Sequence, residues 1–283
     1  RMHELTQGWV EKGLVKGKAV IKVAAAMGEG PMLSDDEWPH LLRTVVQAAD
    51  DKAAIVCGLH YKDTKRTIED AKRAEDMGAH ALQVCPPIFN LPSQEDMLEY
   101  FGNLSDAIDI GIMVYHTHWM SGGRIEVDTI MRMADFEKIV SIKWSAPSDV
   151  AYKEMEKFSN IFSVIDNGGG PALCHKLGGR GYINLTVESY PPHDLKIWEL
   201  LENKKYTQAD ELFKSVDGPL REFADRASIR SGGQARVKKG ISKLMGQDAG
   251  VSRPPSQPLN EVEMEELRKI LLGFGWPVHS NKP

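Results

Sequence analysis

The chain has 283 residues, of which 42% are hydrophobic and 27% are charged, as in an ordinary globular protein and unlike a disordered chain. Its net charge of −5 argues against a nucleic-acid partner, because a surface that binds phosphates needs a basic excess. The 3 cysteines form neither a metal knuckle nor a disulfide framework, and the longest apolar run is too short to cross a bilayer. We therefore expect a cytoplasmic protein that binds no membrane.

Short β-rich segments alternate with helical patterns over the first two-thirds of the chain. The segments are apolar along their whole length, which is typical of strands covered on both faces of a parallel sheet. The predicted strands are residues 18–25, 54–59, 81–85, 111–115, 139–144, 161–165 and 181–185. The predicted helices are residues 3–13, 38–49, 64–77, 94–107, 128–134, 150–158, 171–177 and 193–202. This alternation predicts a parallel α/β fold.

The number of predicted strands favours a barrel. A (β/α)8 TIM barrel needs eight strands, so we expect one more strand upstream of Arg1, outside the given sequence. The alternative is an open doubly wound sheet, but its GxGxxG phosphate motif is missing, and Gly168-Gly169-Gly170 is interpreted as a turn. Further helices are predicted at residues 208–226, 234–245 and 260–273. We expect residues 1–205 to form the barrel and residues 206–283 a C-terminal helical extension packed on it as one structural unit.

Lys143 stands at the carboxyl end of the apolar strand 139–144, where the chemistry of such barrels is located. Burial disfavours the charged form of an amine, and a neutral amine can form a Schiff base with a carbonyl carbon. The alternative is a structural lysine that pairs with a carboxylate or reaches the rim. Lys22 lies in the middle of another apolar strand, and the residues alone leave both interpretations open.

Other polar residues follow neighbouring strands. Tyr115 ends a strand, and its hydroxyl could move protons for an imine-forming lysine, although a buried core tyrosine is the alternative. His116 and His118 could bind a metal, but no third ligand is evident, so a polar pocket lining is favoured. His60 ends another strand with nothing to link it to them. The turn Met27-Gly28 could offer backbone N–H groups to a carboxylate or phosphate, or it could be a tight βα turn.

Together these segments resemble the dihydrodipicolinate synthase/N-acetylneuraminate lyase family of class I Schiff-base aldolases and dehydratases. The segments that carry the resemblance are residues 26–29, 86–94, 114–118, 139–143 and 181–184, together with 237–240 and 250–255 in the tail. The resemblance implies that Lys143 forms the imine and that Tyr115 moves protons. It also implies a small 2-oxo acid or aldehyde as substrate, no cofactor or metal, and a homo-oligomer, either a tetramer or a dimer. The substrate-binding residues would be Ala26, Met27, Gly28, His116, His118, Ile183 and Asn184.

The sequence also departs from the family pattern at several positions. Ala26 and Met27 replace two threonines, and Phe89 replaces a tyrosine that reaches a neighbouring subunit in the lysine-pathway synthase. Met120 stands where that synthase has a substrate-binding arginine, and Arg124 lies four residues further on. We therefore predict a member other than dihydrodipicolinate synthase itself, with a different carbonyl substrate.

Three functional hypotheses follow from these residues. The first is an active Schiff-base lyase, namely an aldolase, hydratase-aldolase or dehydratase that acts through Lys143. The second is a catalytically idle family member that binds a small ligand as a sensor or partner. The third is a metal-dependent barrel hydrolase that uses His116 and His118.

Overall fold

The computed structural model of the protein describes residues 1–279. The chain divides into two compact units. One unit is Val15–Ile183, and the other combines Arg1–Leu14 with Asn184–Pro283. Within the described residues, no helix is long and apolar enough to cross a membrane.

A seven-stranded parallel sheet forms the centre of the unit Val15–Ile183. Its strands lie in chain order, and the outermost two are the first and the last. The strands are β1 (Val20–Val23), β2 (Ala54–Leu59), β3 (Ala81–Val84), β4 (Gly111–Tyr115), β5 (Ile139–Trp144), β6 (Ser163–Asp166) and β7 (Gly181–Tyr182). This sequential parallel order confirms the predicted α/β barrel class of fold.

The helices of the chain begin and end close to the predicted positions. They are α1 (Met2–Glu11), α2 (Glu37–Ala49), α3 (Thr64–Asp76), α4 (Gln94–Ala107), α5 (Val127–Arg132), α6 (Pro171–Lys176), α7 (Pro191–Glu202), α8 (Tyr206–Arg230), α9 (Gln234–Leu244) and α10 (Glu261–Gly273). Ser93 and Asp96 form a capping box at the start of α4, and the Asp63 carboxylate accepts the Arg66 N–H at the start of α3. These side-chain caps explain why the sequence located the helix starts well.

Several elements differ from the prediction. Strands β1 and β7 are shorter than the predicted segments 18–25 and 181–185. The predicted helix 150–158 is a 3-10 helix, Tyr152–Lys157. The indole N–H of Trp144 donates to the Tyr152 carbonyl at 3.2 Å and so competes with the α-helical hydrogen bond. Strand β6 begins two residues later than predicted, because the N–H groups of Ile161 and Phe162 both donate to the Phe158 carbonyl in a turn.

The pairing of β4 with β5 contains one irregularity. Ile112 pairs with Ile139, whereas Met113 pairs with Ser141, so β5 has one extra residue at Val140. The Val140 side chain is 47% exposed. Beyond this irregularity the register is regular up to the pair Tyr115 and Lys143.

The helices α7 to α10 belong to the other unit, which has its own apolar core. The core residues include Leu220, Phe223, Ile241, Leu267, Leu271 and Trp276. Arg236 is also buried, and its guanidinium donates to the carbonyls of Ala227 and Gln257 and pairs with Glu263. The expected division at residue 205, with the extension packed on the barrel, stays a prediction.

Candidate active site

Lys143 and Tyr115 lie side by side at the carboxyl ends of β5 and β4. Lys143 is only 4% exposed, and its Nζ lies 3.5 Å from the centroid of the Tyr115 ring. Burial and the nearby Cys85 raise the pKa of the Tyr115 hydroxyl to about 12. The phenol therefore carries its proton at neutral pH and is able to donate it.

His60 and Cys85 end the two strands before Tyr115. The His60 Nε2 lies 2.9 Å from the Ala24 carbonyl oxygen, and its Nδ1 lies 3.4 Å from the Cys85 Sγ. Burial lowers the pKa of His60 to about 4, and the charge of Lys143 adds to this effect. Burial also raises the pKa of the Cys85 thiol to about 12. Both groups are therefore neutral near pH 7, and His60 belongs to the site although the sequence offered no link to it.

Lys22 is the second amine in the sheet interior, and its neighbours differ from those of Lys143. Its Nζ donates to the Gln83 Oε1 at 2.8 Å and lies 3.4 Å from the Met113 Sδ. Met113 precedes Tyr115 by two residues on β4. The Lys22 amine therefore lies closer to the amino end of β4 than the Tyr115 ring does. The amide oxygen and the thioether that contact Lys22 are not proton donors comparable to the Tyr115 hydroxyl.

The predicted carboxylate-binding turn is a short 3-10 helix, Ala26–Gly28. The N–H groups of Gly28 and Gly30 both donate to the Ala25 carbonyl, at 2.9 and 3.0 Å. A Cβ atom at Gly30 would lie 1.7 Å from the Ala24 carbonyl oxygen, so only glycine fits there. The turn therefore uses the Gly28 N–H internally, and the expected role of Ala26, Met27 and Gly28 stays a prediction.

His116 and His118 follow β4 and lie close together, with ring centroids 5.2 Å apart. His116 is fully buried and stacks on Trp144, and its Nδ1 lies 2.9 Å from the Ser145 carbonyl oxygen. Burial and the neighbouring His118 lower the pKa of His116 to about 4. Among residues 1–279, no three His, Cys, Asp or Glu side chains are grouped to hold a metal ion. The two histidines thus lack a third ligand in the described part of the chain.

The positions that suggested a changed substrate have well-defined partners. The Tyr61 hydroxyl donates to the Met120 Sδ at 3.2 Å. Arg124 pairs with Asp149 at 3.0 Å and with Glu126 at 2.9 Å. Two carboxylates therefore already neutralise the Arg124 guanidinium.

The segment after β6 is held by a buried carboxylate. Asp166 accepts hydrogen bonds from the backbone N–H groups of Gly168, Gly169 and Gly170 and from the Tyr152 hydroxyl, the last at 2.6 Å. The three glycines therefore form a turn around Asp166, as predicted, and their N–H groups are not directed to a phosphate.

Ile183 and Asn184, the last predicted binding residues, fall in different units. The Ile183 N–H donates to the Asp166 carbonyl at 3.0 Å. The Asn184 amide donates to Asp194 at 2.9 Å and accepts the Leu185 N–H at 2.7 Å. The Asn184 side chain is thus engaged within its own unit, and the binding role of both residues stays a prediction.

Comparisons with known proteins cover nearly the whole chain. The dihydrodipicolinate synthetase family matches residues 3–273. A 4-hydroxy-tetrahydrodipicolinate synthase from Acidothermus cellulolyticus is 39% identical over 275 residues, which cover 92% of this chain and 82% of that protein. A 4-hydroxy-tetrahydrodipicolinate synthase 1 from Halalkalibacterium halodurans is 30% identical over 268 residues, which cover 93% of this chain and 88% of that protein.

Solved structures show the same fold. The dihydrodipicolinate synthase DapA-2 from Bacillus anthracis superposes with a TM-score of 0.81 at 25% identity and covers 95% of this chain and 90% of its own. The dihydrodipicolinate synthase from Thermotoga maritima has a TM-score of 0.82 at 24% identity, with 96% and 91% covered. The names of these relatives do not support the sequence-based prediction that the chain differs from dihydrodipicolinate synthase itself. The match over residues 3–273 shows that the chain belongs to the dihydrodipicolinate synthetase family.

Proposed function

We propose that the protein is a class I lyase that forms a Schiff base between Lys143 and the carbonyl carbon of a small 2-oxo acid. One observation carries the proposal: a buried amine whose Nζ lies 3.5 Å from the ring of a buried tyrosine. Burial disfavours the ammonium form of a lysine, and the neutral amine is the nucleophile that this chemistry needs.

The reaction divides into proton transfers that Tyr115 is placed to perform. The Lys143 amine attacks the carbonyl carbon, and the Tyr115 hydroxyl protonates the oxygen that leaves as water. The resulting imine accepts the electron pair released when a proton or a carbon–carbon bond is lost at the adjacent carbon. The enamine formed then takes up a proton or an electrophile, and water restores the free lysine. Aldol cleavage, hydration and dehydration all use this same intermediate.

The remaining predicted residues are assigned to substrate binding. Because the Gly28 N–H is used within its turn, we assign the substrate carboxylate to the Met27 N–H. His116 and His118 would line the far side of the pocket, where burial keeps His116 neutral and able to hydrogen-bond a substrate oxygen. No residue of this set supplies a cation, so the carboxylate would be bound by dipoles.

The second substrate, with which the 2-oxo acid would react, is a separate part of the proposal. A thioether at Met120 cannot bind a second carboxylate, and the Arg124 guanidinium is paired with Asp149 and Glu126. These contacts favour a second substrate other than aspartate semialdehyde, in contrast to the synthases named among the relatives. A coupled reductase assay with pyruvate and aspartate semialdehyde tests this part separately.

We also propose a cytoplasmic homo-oligomer, a dimer or a tetramer. The free thiols of the three cysteines support a reducing compartment. The side chains of Phe89 and Leu91 are 92% and 66% exposed, and apolar groups this exposed favour an interface. A monomer in light scattering at working concentration would contradict the oligomer.

The proposed chemistry is tested with a panel of 2-oxo acids, beginning with pyruvate, in the presence of borohydride. Borohydride reduces an imine to a stable secondary amine, so the adduct survives digestion and is located by mass spectrometry. We expect at least one 2-oxo acid to become attached to the protein. Saturable binding of a 2-oxo acid without any adduct would instead support the catalytically idle family member.

A further inference from the structure

His60 lies at the level of the sheet that holds the proposed catalytic pair. It follows the last residue of β2, and Cys85 follows the last residue of β3. The ends of β2 and β3 pair with each other, and the end of β3 pairs with the residue before Tyr115 on β4. Register partners on parallel strands point to the same face. This level therefore carries four polar residues in order across the sheet, namely His60, Cys85, Tyr115 and Lys143.

The partners of the two nitrogens of the His60 ring fix its tautomer. Burial holds the pKa of His60 at about 4, so the ring is neutral at pH 7 and carries one proton. Its Nε2 lies 2.9 Å from the Ala24 carbonyl oxygen, and its Nδ1 lies 3.4 Å from the Cys85 Sγ. A carbonyl oxygen only accepts hydrogen bonds, so the proton is on Nε2 and is donated to Ala24. The Nδ1 lone pair then accepts the Cys85 thiol.

The Ala24 carbonyl that accepts the imidazole N–H belongs to a tightly enclosed peptide group. Ala24 is buried, and its φ of +52° lies in the left-handed region that favours glycine. A Cβ atom at Gly58 would lie 2.6 Å from its carbonyl oxygen, so β2 approaches this group closely. A residue other than glycine keeps such a conformation only where its surroundings hold it, and the His60 N–H is one of the groups that do so here.

The peptide group after Ala24 leads directly into the Ala26–Gly28 turn. The next carbonyl along the chain, that of Ala25, accepts the N–H groups of Gly28 and Gly30 at 2.9 and 3.0 Å. The hydrogen bonds of the turn therefore start from the residue whose own N–H shares a peptide group with the Ala24 carbonyl. The imidazole thus holds the entrance of the turn.

We propose that His60 is a positioning residue, which holds the Ala24 carbonyl so that the Ala26–Gly28 turn presents the Met27 N–H to the carboxylate of the 2-oxo acid. The role rests on the proposed Schiff-base function, because the carboxylate is that of its substrate. The tautomer of the ring and the order of the turn are measurable without any substrate.

The experiment compares two replacements of His60 in the full chain. The amide nitrogen of His60→Gln lies about as far from the backbone as Nε2 does, so it still donates to Ala24. The side chain of His60→Asn is one bond shorter and loses this contact. His80→Asn is the matched control, because the His80 ring also binds the backbone of β2 but at its other end, where Nδ1 accepts the Ile55 N–H at 3.2 Å.

The first readout is the rate of borohydride trapping against the concentration of the first 2-oxo acid in the panel that forms an adduct. We expect the half-saturating concentration to rise about tenfold in His60→Asn, the usual worth of a lost buried hydrogen bond, while the limiting rate of adduct formation stays within about threefold. His60→Gln should restore the half-saturating concentration to within about threefold of the parent value, because it keeps the donor. His80→Asn should change neither quantity.

Two further readouts need no substrate. Nitrogen NMR of the parent protein should place the proton of the His60 ring on Nε2. Hydrogen exchange should show faster exchange of the Gly28 and Gly30 N–H groups in His60→Asn than in the parent, because the turn opens more often once its entrance is released.

An unchanged half-saturating concentration in His60→Asn, or a His60→Gln variant that restores nothing, would overturn the positioning role. If His60→Asn folds poorly, the parent protein still decides, since a ring proton on Nδ1 would contradict the hydrogen bond to Ala24. A parent protein that forms no adduct with any 2-oxo acid would contradict the proposed function instead. The tautomer and the exchange rates would then still show whether His60 holds the turn.

Discussion

Lys143 and Tyr115 are register partners on neighbouring strands, and the lysine Nζ lies over the face of the tyrosine ring, 3.5 Å from its centroid. The ring face covers the amine, whereas the hydroxyl at the ring edge carries the transferable proton. Tyr115 therefore has two separable roles: its ring packs against the Lys143 amine, and its hydroxyl donates a proton.

Tyr115→Phe separates these roles, since the ring stays and only the hydroxyl is lost. We expect an intact fold and a turnover that is slower by about 10²–10⁴-fold, the usual contribution of a general acid or base. Steady-state kinetics with the best 2-oxo acid from the panel measures this. Tyr61→Phe is the control, because its hydroxyl donates to Met120 and has no assigned proton transfer. A loss smaller than tenfold in Tyr115→Phe would assign the proton to another group.

Gly58→Ala should destabilise the protein by about 1–3 kcal/mol, the usual cost of overpacking a close-packed site. The added Cβ would lie 2.6 Å from the Ala24 carbonyl oxygen and 2.9 Å from the His60 Nε2, so the backbone beside the site would have to move. Urea denaturation measures the change. Gly28→Ala is the matched control, because nothing lies within 4 Å of its Cβ position. Equal stability of the two variants would contradict the close approach of β1 and β2 at this point.

His116→Asn should make the stability of the protein less dependent on pH. Burial holds the pKa of His116 at about 4, below its ordinary value of 6.5. Between these values the unfolded chain binds more protons than the folded one, so the free energy of unfolding rises with pH and falls as the solution is acidified. Removing the imidazole removes this contribution to the pH dependence. The similar contribution of His60, whose pKa is also lowered by burial, remains in the variant. Denaturation curves from about pH 4 to pH 8 test it, and an unchanged slope would contradict the buried, neutral state of His116.

Condensation of pyruvate with aspartate semialdehyde should be slow in comparison with turnover of the best substrate in the panel. The reason is that Met120 offers no charge and that Arg124 is already paired with Asp149 and Glu126. The coupled reductase assay measures the rate directly. Robust activity would show that the chain works as the synthase for which its relatives are named, with the second carboxylate bound elsewhere.

Much of the fold could be predicted because its signals are local. Apolar strands and side-chain caps such as Ser93 depend on residues close in sequence, and these elements begin within two residues of the predicted positions. The 3-10 helix Tyr152–Lys157 depends instead on the Trp144 indole, whose competing hydrogen bond no local pattern reveals. The extra residue at Val140 is likewise a property of two paired strands.

In the candidate site too, some residues are visible from local sequence patterns and others only from contacts between strands. Lys143 and Tyr115 stand out because a polar residue at the end of an apolar strand is visible in the sequence. His60 also follows a strand end, but its contact with Cys85 runs across strands and becomes visible only in three dimensions.

The most direct test of the central claim is the position of the borohydride-trapped adduct. The parent protein, Lys143→Ala and Lys22→Ala are each incubated with the 2-oxo acid and borohydride, then digested and analysed by mass spectrometry. Lys22→Ala is the matched control, because it removes the other amine of the sheet interior, which is bonded to Gln83. We predict an adduct on Lys143 in the parent and in Lys22→Ala, and no adduct or turnover in Lys143→Ala. An adduct on Lys22, or trapping that survives in Lys143→Ala, would contradict the account.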